Sequence, residues 1–389
     1  TGLSPVATSQ LTRYGQTLLL VLVQLAGIGI ITVSTMYLAV PGIHHARGSR
    51  QVVRQRWLEV EQLHPGRVLR GVVLMSLAVE ALGALILLPA LRAAGLPDAG
   101  FSAVFLAVSA FCNAGFVPHD GVMPVAAASA PVLIALLFLI TLGALGFVVL
   151  RDVTRRLSGA KKTLDLHTRL VLLVTVALTA SGAAYLFVCG SGPASGGWPA
   201  GLLRGLFQAV NARTAGFGLP GQADCPAAQA LSGVLMLVGG APGSAAGGFR
   251  ITAVVLVLLA GLRGMGPRGV VLRDRSAPVE ATEFAVVFVL RALLLLAGAV
   301  LLLCTTETLF NRQAGLSFGQ LLFAAVSAFT PAGLSTGVTP LLSGPGKAVL
   351  TLTMLVGRFG LLAMVGRMSL APRGRETVEV HRQGEVVIG

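Results

Sequence analysis

The sequence predicts an all-α integral membrane protein with four pseudo-symmetric units around one central pore. Each unit is a span, a re-entrant half-helix with a filter loop, and a second span; the first unit is truncated. Three observations carry this reading. The chain has 389 residues, 54% hydrophobic and only 11% charged, with mean hydropathy +0.84. A soluble domain carries about 25% charged residues. The apolar runs reach ~20 residues without period-two alternation, so the spans are helices rather than barrel strands.

The second observation is a repeated motif. SAFCNAGF (109–116), NARTAGF (211–217) and SAFTPAGLSTG (327–337) each follow a short apolar run, and Thr1-Gly2-Leu3 matches their ends. The shared pattern is a small residue, then Gly, then Phe or Leu, with glycines at Gly2, Gly115, Gly216 and Gly333. A filter for a dehydrated cation needs such residues, because Gly lets the backbone turn its carbonyls toward the ion and replace its water.

The third observation is charge placement. The net charge is +14, and 20 of the 29 Lys and Arg fall in 41–70, 151–169, 262–275 and the tail from 366. The positive-inside rule makes these four segments cytoplasmic. No basic face with base-reading groups is visible, so nucleic acid is not an expected partner; membrane lipid is. Every unit then enters and leaves on the same side, unlike the inverted repeats of many secondary transporters.

The elements follow in order. Residues 1–40 are the remainder of unit one: a filter end and a returning span, Thr17–Val40. By repeat comparison, roughly 45 residues of this unit are expected upstream of Thr1. Unit two, 67–153, has a span at Arg67–Leu91, a half-helix at Phe101–Phe111 too short to cross, the filter loop, and a span at Pro131–Leu150. Unit three, 168–262, has Leu170–Val188, a half-helix at Gly201–Val210, the filter at Arg213–Phe217, and a long return at Ala227–Leu262. Unit four, 281–371, has Phe284–Leu303, Phe318–Ala328, the filter at Pro331–Gly337, and Ala348–Leu370. A cytoplasmic tail, 372–389, closes the chain. Each half-helix points a partly negative C-terminus at mid-membrane, which favours a cation there.

Several residues break the rules of a membrane span. In MLVGGAPGSAAGGFR (236–250), Gly239, Gly240, Pro242, Gly243, Gly247 and Gly248 would break a helix. The expected outcome is an unwound intramembrane loop below the filter, able to swing as a gate; close helix packing by small residues is the alternative. A phosphate loop is disfavoured, since the Lys-Ser/Thr pair is missing. Arg358 lies inside the last span, where a charge must face a pore or a partner. It is read as a barrier charge facing the gate loop, or as a bond to loop carbonyls. Glu80 is expected to bond a half-helix backbone or pair with an Arg. Arg213 is placed to brace the third filter. Arg291 has no evident partner. Asp98, His119, Asp120 and Asp224 are placed outside, where they could concentrate cations. Cys112, Cys189, Cys225 and Cys304 have no metal spacing; a 189–225 disulfide is one reading and buried thiols the other. No catalytic set is visible, so no enzyme is expected.

These motifs together resemble the membrane subunit of the Trk/Ktr/HKT superfamily of potassium transporters, most of all the Ktr type. QLAGIGIIT (24–32) is similar to its first returning helix, the three stretches above to its later filters, VGGAPGSAAGGFR to its gating loop, VGRFG (356–360) to its arginine-bearing last helix, and the ending VVIG also fits. The resemblance implies potassium uptake, often stimulated by sodium, with potassium as substrate, sodium as a second candidate ion, and no covalent cofactor. It implies a homodimer and a cytoplasmic ring of nucleotide-binding regulatory subunits. It assigns the filter to Thr1, Gly2, Asn113, Ala114, Gly115, Thr214, Ala215, Gly216, Pro331, Ala332 and Gly333. It assigns the gate to Gly239, Gly240, Pro242, Gly243, Ser244, Gly247, Gly248 and Arg358. Pro331 departs from the pattern, standing where Thr is usual; it lacks an N–H, so the support behind that filter must differ and selectivity could loosen. A weakly selective or sodium-coupled monovalent cation transporter, and a non-transporting membrane scaffold, remain the alternative readings.

Overall fold

In the long apolar runs every backbone polar group must be satisfied within the chain, and helices do that. The computed structural model describes residues 2–39, 65–96, 98–189, 197–219, 225–264, 270–272, 275–277 and 279–360. Among the described residues, five helices are long and apolar enough to cross a membrane. They are α1 (Arg13–Ala39), α2 (Pro65–Ala93), α5 (Ala130–Leu157), α6 (Leu166–Cys189) and α10 (Val279–Phe310).

Three shorter helices end at the repeated motifs: α3 (Ala99–Phe111), α7 (Gly197–Thr214) and α11 (Phe318–Phe329). At ~1.5 Å per residue the two 12- and 13-residue members reach about 20 Å, short of a ~30 Å hydrocarbon core. Each packs on the span before it, α3 on α2, α7 on α6 and α11 on α10. A short helix, α4 (Val122–Ala128), links the second motif to α5.

The long third return is split. α8 (Pro226–Leu237) stops, an irregular loop runs from 238 to 250, and α9 (Ile251–Arg263) resumes. The fourth return starts as α12 (Gly344–Leu355) and passes into a π-helical turn, Val356–Gly360. Its expected continuation to Leu370, and the 372–389 tail, lie outside the described residues. A further difference from the all-helical expectation is an antiparallel pair of three-residue strands, β1 (Val270–Leu272) and β2 (Arg275–Ala277). It begins in the basic 262–275 segment, and β1 lies against α9.

Burial ranks the spans. The most apolar stretch of α5 is 67% buried, against 22–28% in the other four. Helix α5 therefore runs inside the bundle, while Leu82, Leu85, Leu294 and Leu301 stand exposed on outer helices where lipid would cover them. Glu307, buried near the end of α10, accepts from the Ser343 hydroxyl at 2.7 Å and from Asn311 at 2.7 Å. This fixes the start of α12, where a carboxylate also favours the helix dipole. Lys161 closes the α5–α6 turn, 2.7 Å from both Asp152 and Asp165.

Candidate functional site: filter and gate

The four glycines come together although they are over a hundred residues apart in the chain. Gly2, Gly115, Gly216 and Gly333 all have left-handed backbones, with φ of 80°, 75°, 73° and 86°. A Cβ on Gly2 would stand 2.7 Å from Ala114 O and 3.6 Å from Gly333 Cα. One on Gly115 would collide with Ala215 O, and one on Gly216 with Ala332 O. The loops thus follow one another in chain order and close back from the fourth to the first. Left-handed φ and the next loop's backbone both exclude a side chain at Gly115 and Gly216. Thr1 lies outside the described residues.

Hydrogen bonds hold each loop to the end of its half-helix. Ala114 N–H donates to Ser109 O at 2.8 Å, and Ala332 N–H to Ser327 O at 3.0 Å. Asn211 brackets Phe217, donating to its carbonyl at 2.6 Å and accepting from its N–H at 2.8 Å. Ser109 Oγ donates to Phe116 O at 2.8 Å. Sequence reasoning passed over Ser109 and Asn211, although buried Ser and Asn in apolar half-helices were the available signal. Thr214 Oγ1 donates to Asn113 Oδ1 at 2.9 Å and so links the third loop to the second.

Pro331 differs in a definable way. In the second loop the Asn113 N–H donates to Ala110 O at 3.2 Å. Pro331 has no N–H to give Ala328 O, and no side-chain group to bond a neighbouring loop as Asn113 does. Both positions have positive φ, 53° at Asn113 and 25° at Pro331; Asn tolerates this and a proline ring favours about −65°.

Beneath the ring lies the loop 239–248. A Cβ on Gly247 would collide with Thr330 O and stand 3.1 Å from the Pro331 ring, so the loop touches the fourth filter motif directly. Its neck is tied by Gly239 N–H to Phe249 O (3.0 Å), Phe249 N–H to Leu237 O (2.9 Å) and Ile251 N–H to Gly240 O (3.1 Å). Ser244 is buried and its hydroxyl donates to Ala241 O at 2.6 Å.

Three arginines serve this loop's carbonyls. Arg358 Nη2 donates to Ala245 O at 2.8 Å, the bond to a loop carbonyl that was one of its two readings. Arg250 Nη1 donates to Ala241 O and Ala246 O, both at 3.2 Å. Arg213, 3% exposed, donates to Gly239 O at 3.2 Å. Against the expectation for Arg213, this side-chain bond goes to the loop 239–248 rather than to the third motif. Arg250 stood inside the motif but was not singled out. Gly357, next to Arg358, packs on Phe329 O, where a Cβ would collide, and Gly143 of α5 packs in the same way on Phe111 O.

Other expected residues are also placed. Glu80 accepts from the Gln24 side chain at 2.7 Å and from the Cys112 thiol at 3.8 Å, so its described partners are neither an Arg nor a half-helix backbone. Asp98 pairs with Arg13 at 3.6 Å, and Arg13 lies 3.4 Å from the centre of the Phe101 ring. Asp120 accepts from Ser9 at 2.9 Å. These two acids therefore tie the first unit to the second; Asp224 lies outside the described residues. Arg291 is exposed on α10. Cys189 and Cys225 are free thiols.

Comparison with known proteins follows the same residues. The family model described as TrkH, cation transport protein, matches residues 1–190 and 199–375. The chain is 30% identical over 383 residues to the Ktr system potassium uptake protein B of Vibrio alginolyticus, covering 94% of this chain and 80% of the relative. It is 30% identical to the protein of the same name in Bacillus subtilis, covering 100% of this chain and 86% of the relative. It is 26% identical to the potassium/sodium uptake protein NtpJ of Enterococcus hirae, covering 100% and 87%. Among solved structures, the potassium transporter TrkH from Vibrio parahaemolyticus superposes with a TM-score of 0.68 at 21% identity, covering 94% of this chain and 74% of that one.

Proposed function

The chain belongs to the TrkH family of cation transport proteins, and on that premise we propose that it takes up potassium across the plasma membrane through a channel-like pore. The observation that carries this reading is the closed ring of four left-handed glycines, three of them just past the ends of α3, α7 and α11. Its relatives are named for potassium uptake. The filter is read as Thr1-Gly2, Asn113–Gly115, Thr214–Gly216 and Pro331–Gly333, with potassium held by backbone carbonyls in place of water. The repeat units are read as 1–40, 67–153, 168–262 and 281–371.

The loop 239–248 and Arg358 form the gate in this reading. Closed, the loop lies under the filter with a guanidinium beside it, and a fixed positive charge opposes cation leak. From the resemblance to Ktr-type membrane subunits, the chain is read as a lipid-covered homodimer that works with a cytoplasmic nucleotide-binding regulatory ring.

One observation favours a second reading, a pore that discriminates less against sodium. Pro331 leaves the fourth loop with one backbone bond fewer than the second, and one relative is named for both ions. Growth of potassium-uptake-deficient bacteria on low potassium tests the proposal. Rescue by the full-length protein with its regulatory partner is expected. Membrane insertion without rescue would leave a non-transporting scaffold.

A further inference from the structure

Helix α5 is broken where the gate loop meets it. Gly146 has φ 76° and ψ 164°, far from helical values, in the middle of an otherwise regular apolar span. In a continuous helix the Phe147 N–H would donate to Gly143 O, and Ala144 O would accept from the residue four places on. Here the loop supplies the partners. Phe147 N–H donates to Gly243 O at 3.2 Å, Ala245 N–H to Gly143 O at 3.2 Å, and Ala241 N–H to Ala144 O at 3.0 Å. The Phe147 amide and the Gly143 and Ala144 carbonyls of α5 thus bond one carbonyl and two amides of the loop. An unmatched set would be costly this deep in a membrane.

Glycine alone does not break these helices. α1 runs unbroken through Gly27 and Gly29, and no loop is docked at Gly29. The contact at Gly146 is also too close for any side chain: a Cβ there would stand 2.6 Å from Gly243 O and 2.8 Å from Ser244 N. The break and the docked loop therefore require each other.

We propose that the broken turn of α5 at Gly146 is the latch that holds the gate shut, and that opening is an exchange of hydrogen bonds. The loop leaves α5 while α5 closes its own turn across Gly146. This rests on reading 239–248 as the gate. The neck bonds at Gly239, Phe249 and Gly240 do not involve α5, so the loop swings about its neck as a unit. Because helical bonds replace part of what the loop gives up, the two states stay close in free energy, as a switch requires. Gly146 is thus a positioning residue for the gate, outside both filter and loop.

The test is Gly146→Ala in the full-length protein in liposomes with its regulatory partner, read by rubidium influx and by hydrogen exchange over 239–248. Alanine fits the straight helix and not the latch. Loss of one bond of ordinary worth predicts about tenfold faster exchange in the loop, with faster influx. Exchange and influx at or below the parent's values would overturn the latch. A second variant covers a folding failure: Ala144→Cys with Ala241→Cys, purified reduced. Oxidation should stop influx and reduction restore it, whereas influx indifferent to oxidation would contradict the latch. If the parent carries no rubidium, the transport reading falls, and exchange in the two variants still decides the latch.

Discussion

Gly216 is held at φ 73° with the next loop's Ala332 carbonyl where its side chain would be. Serine there must push two filter loops apart, and an ion stripped of water tolerates little displacement of its oxygens. Gly216→Ser is expected to lower the preference for potassium over sodium about tenfold, the factor that 1.4 kcal/mol carries. Competition of the two ions against rubidium uptake measures it. Pro331 makes the opposite prediction. Pro331→Asn restores an N–H for Ala328 O and relieves a proline at positive φ, a gain of about 1 kcal/mol. Sodium should compete several-fold less well in this variant; an unchanged ratio would show that the missing bond has no bearing on selectivity.

In the proposed gate, the loop 239–248 is bonded by Arg358 from the π-helical turn. Arg358→Ala removes a charge-assisted hydrogen bond of about 1.5–3 kcal/mol from the loop's resting position. Faster rubidium influx and more leak are expected, and an unaltered rate would remove Arg358 from the gate. Elsewhere, Glu307→Ala unties the start of α12 and leaves Ser343 without its buried acceptor. A loss of about 1–3 kcal/mol is expected, read as a lower thermal midpoint with selectivity kept. At this scale much was legible in sequence. Spans follow from apolar length, half-helices from runs too short to cross, and the split third return from six helix breakers in 239–248. What was hidden depends on contacts across the chain. Gly146 reads like any packing glycine until Gly243 lies against it, and Gln24 and Cys112 are 56 and 32 residues from Glu80. Arg213 looked like a filter brace because its neighbours in sequence are filter residues, while its partner Gly239 is 26 residues away.

At the scale of the whole molecule, the most buried span among the described residues, α5, touches the loop after the second half-helix through Gly143 and the loop 239–248 through Gly146. In the proposed reading a change at the gate is thereby mechanically adjacent to the filter. The most direct measurement is uptake of radioactive rubidium by potassium-uptake-deficient cells expressing the full-length protein, with excess unlabelled potassium or sodium as competitor, beside Gly216→Ser. A four-loop potassium filter predicts strong competition by potassium, weak competition by sodium, and loss of that difference in the variant. Equal competition by both ions in the parent, or an unchanged preference in Gly216→Ser, would contradict it.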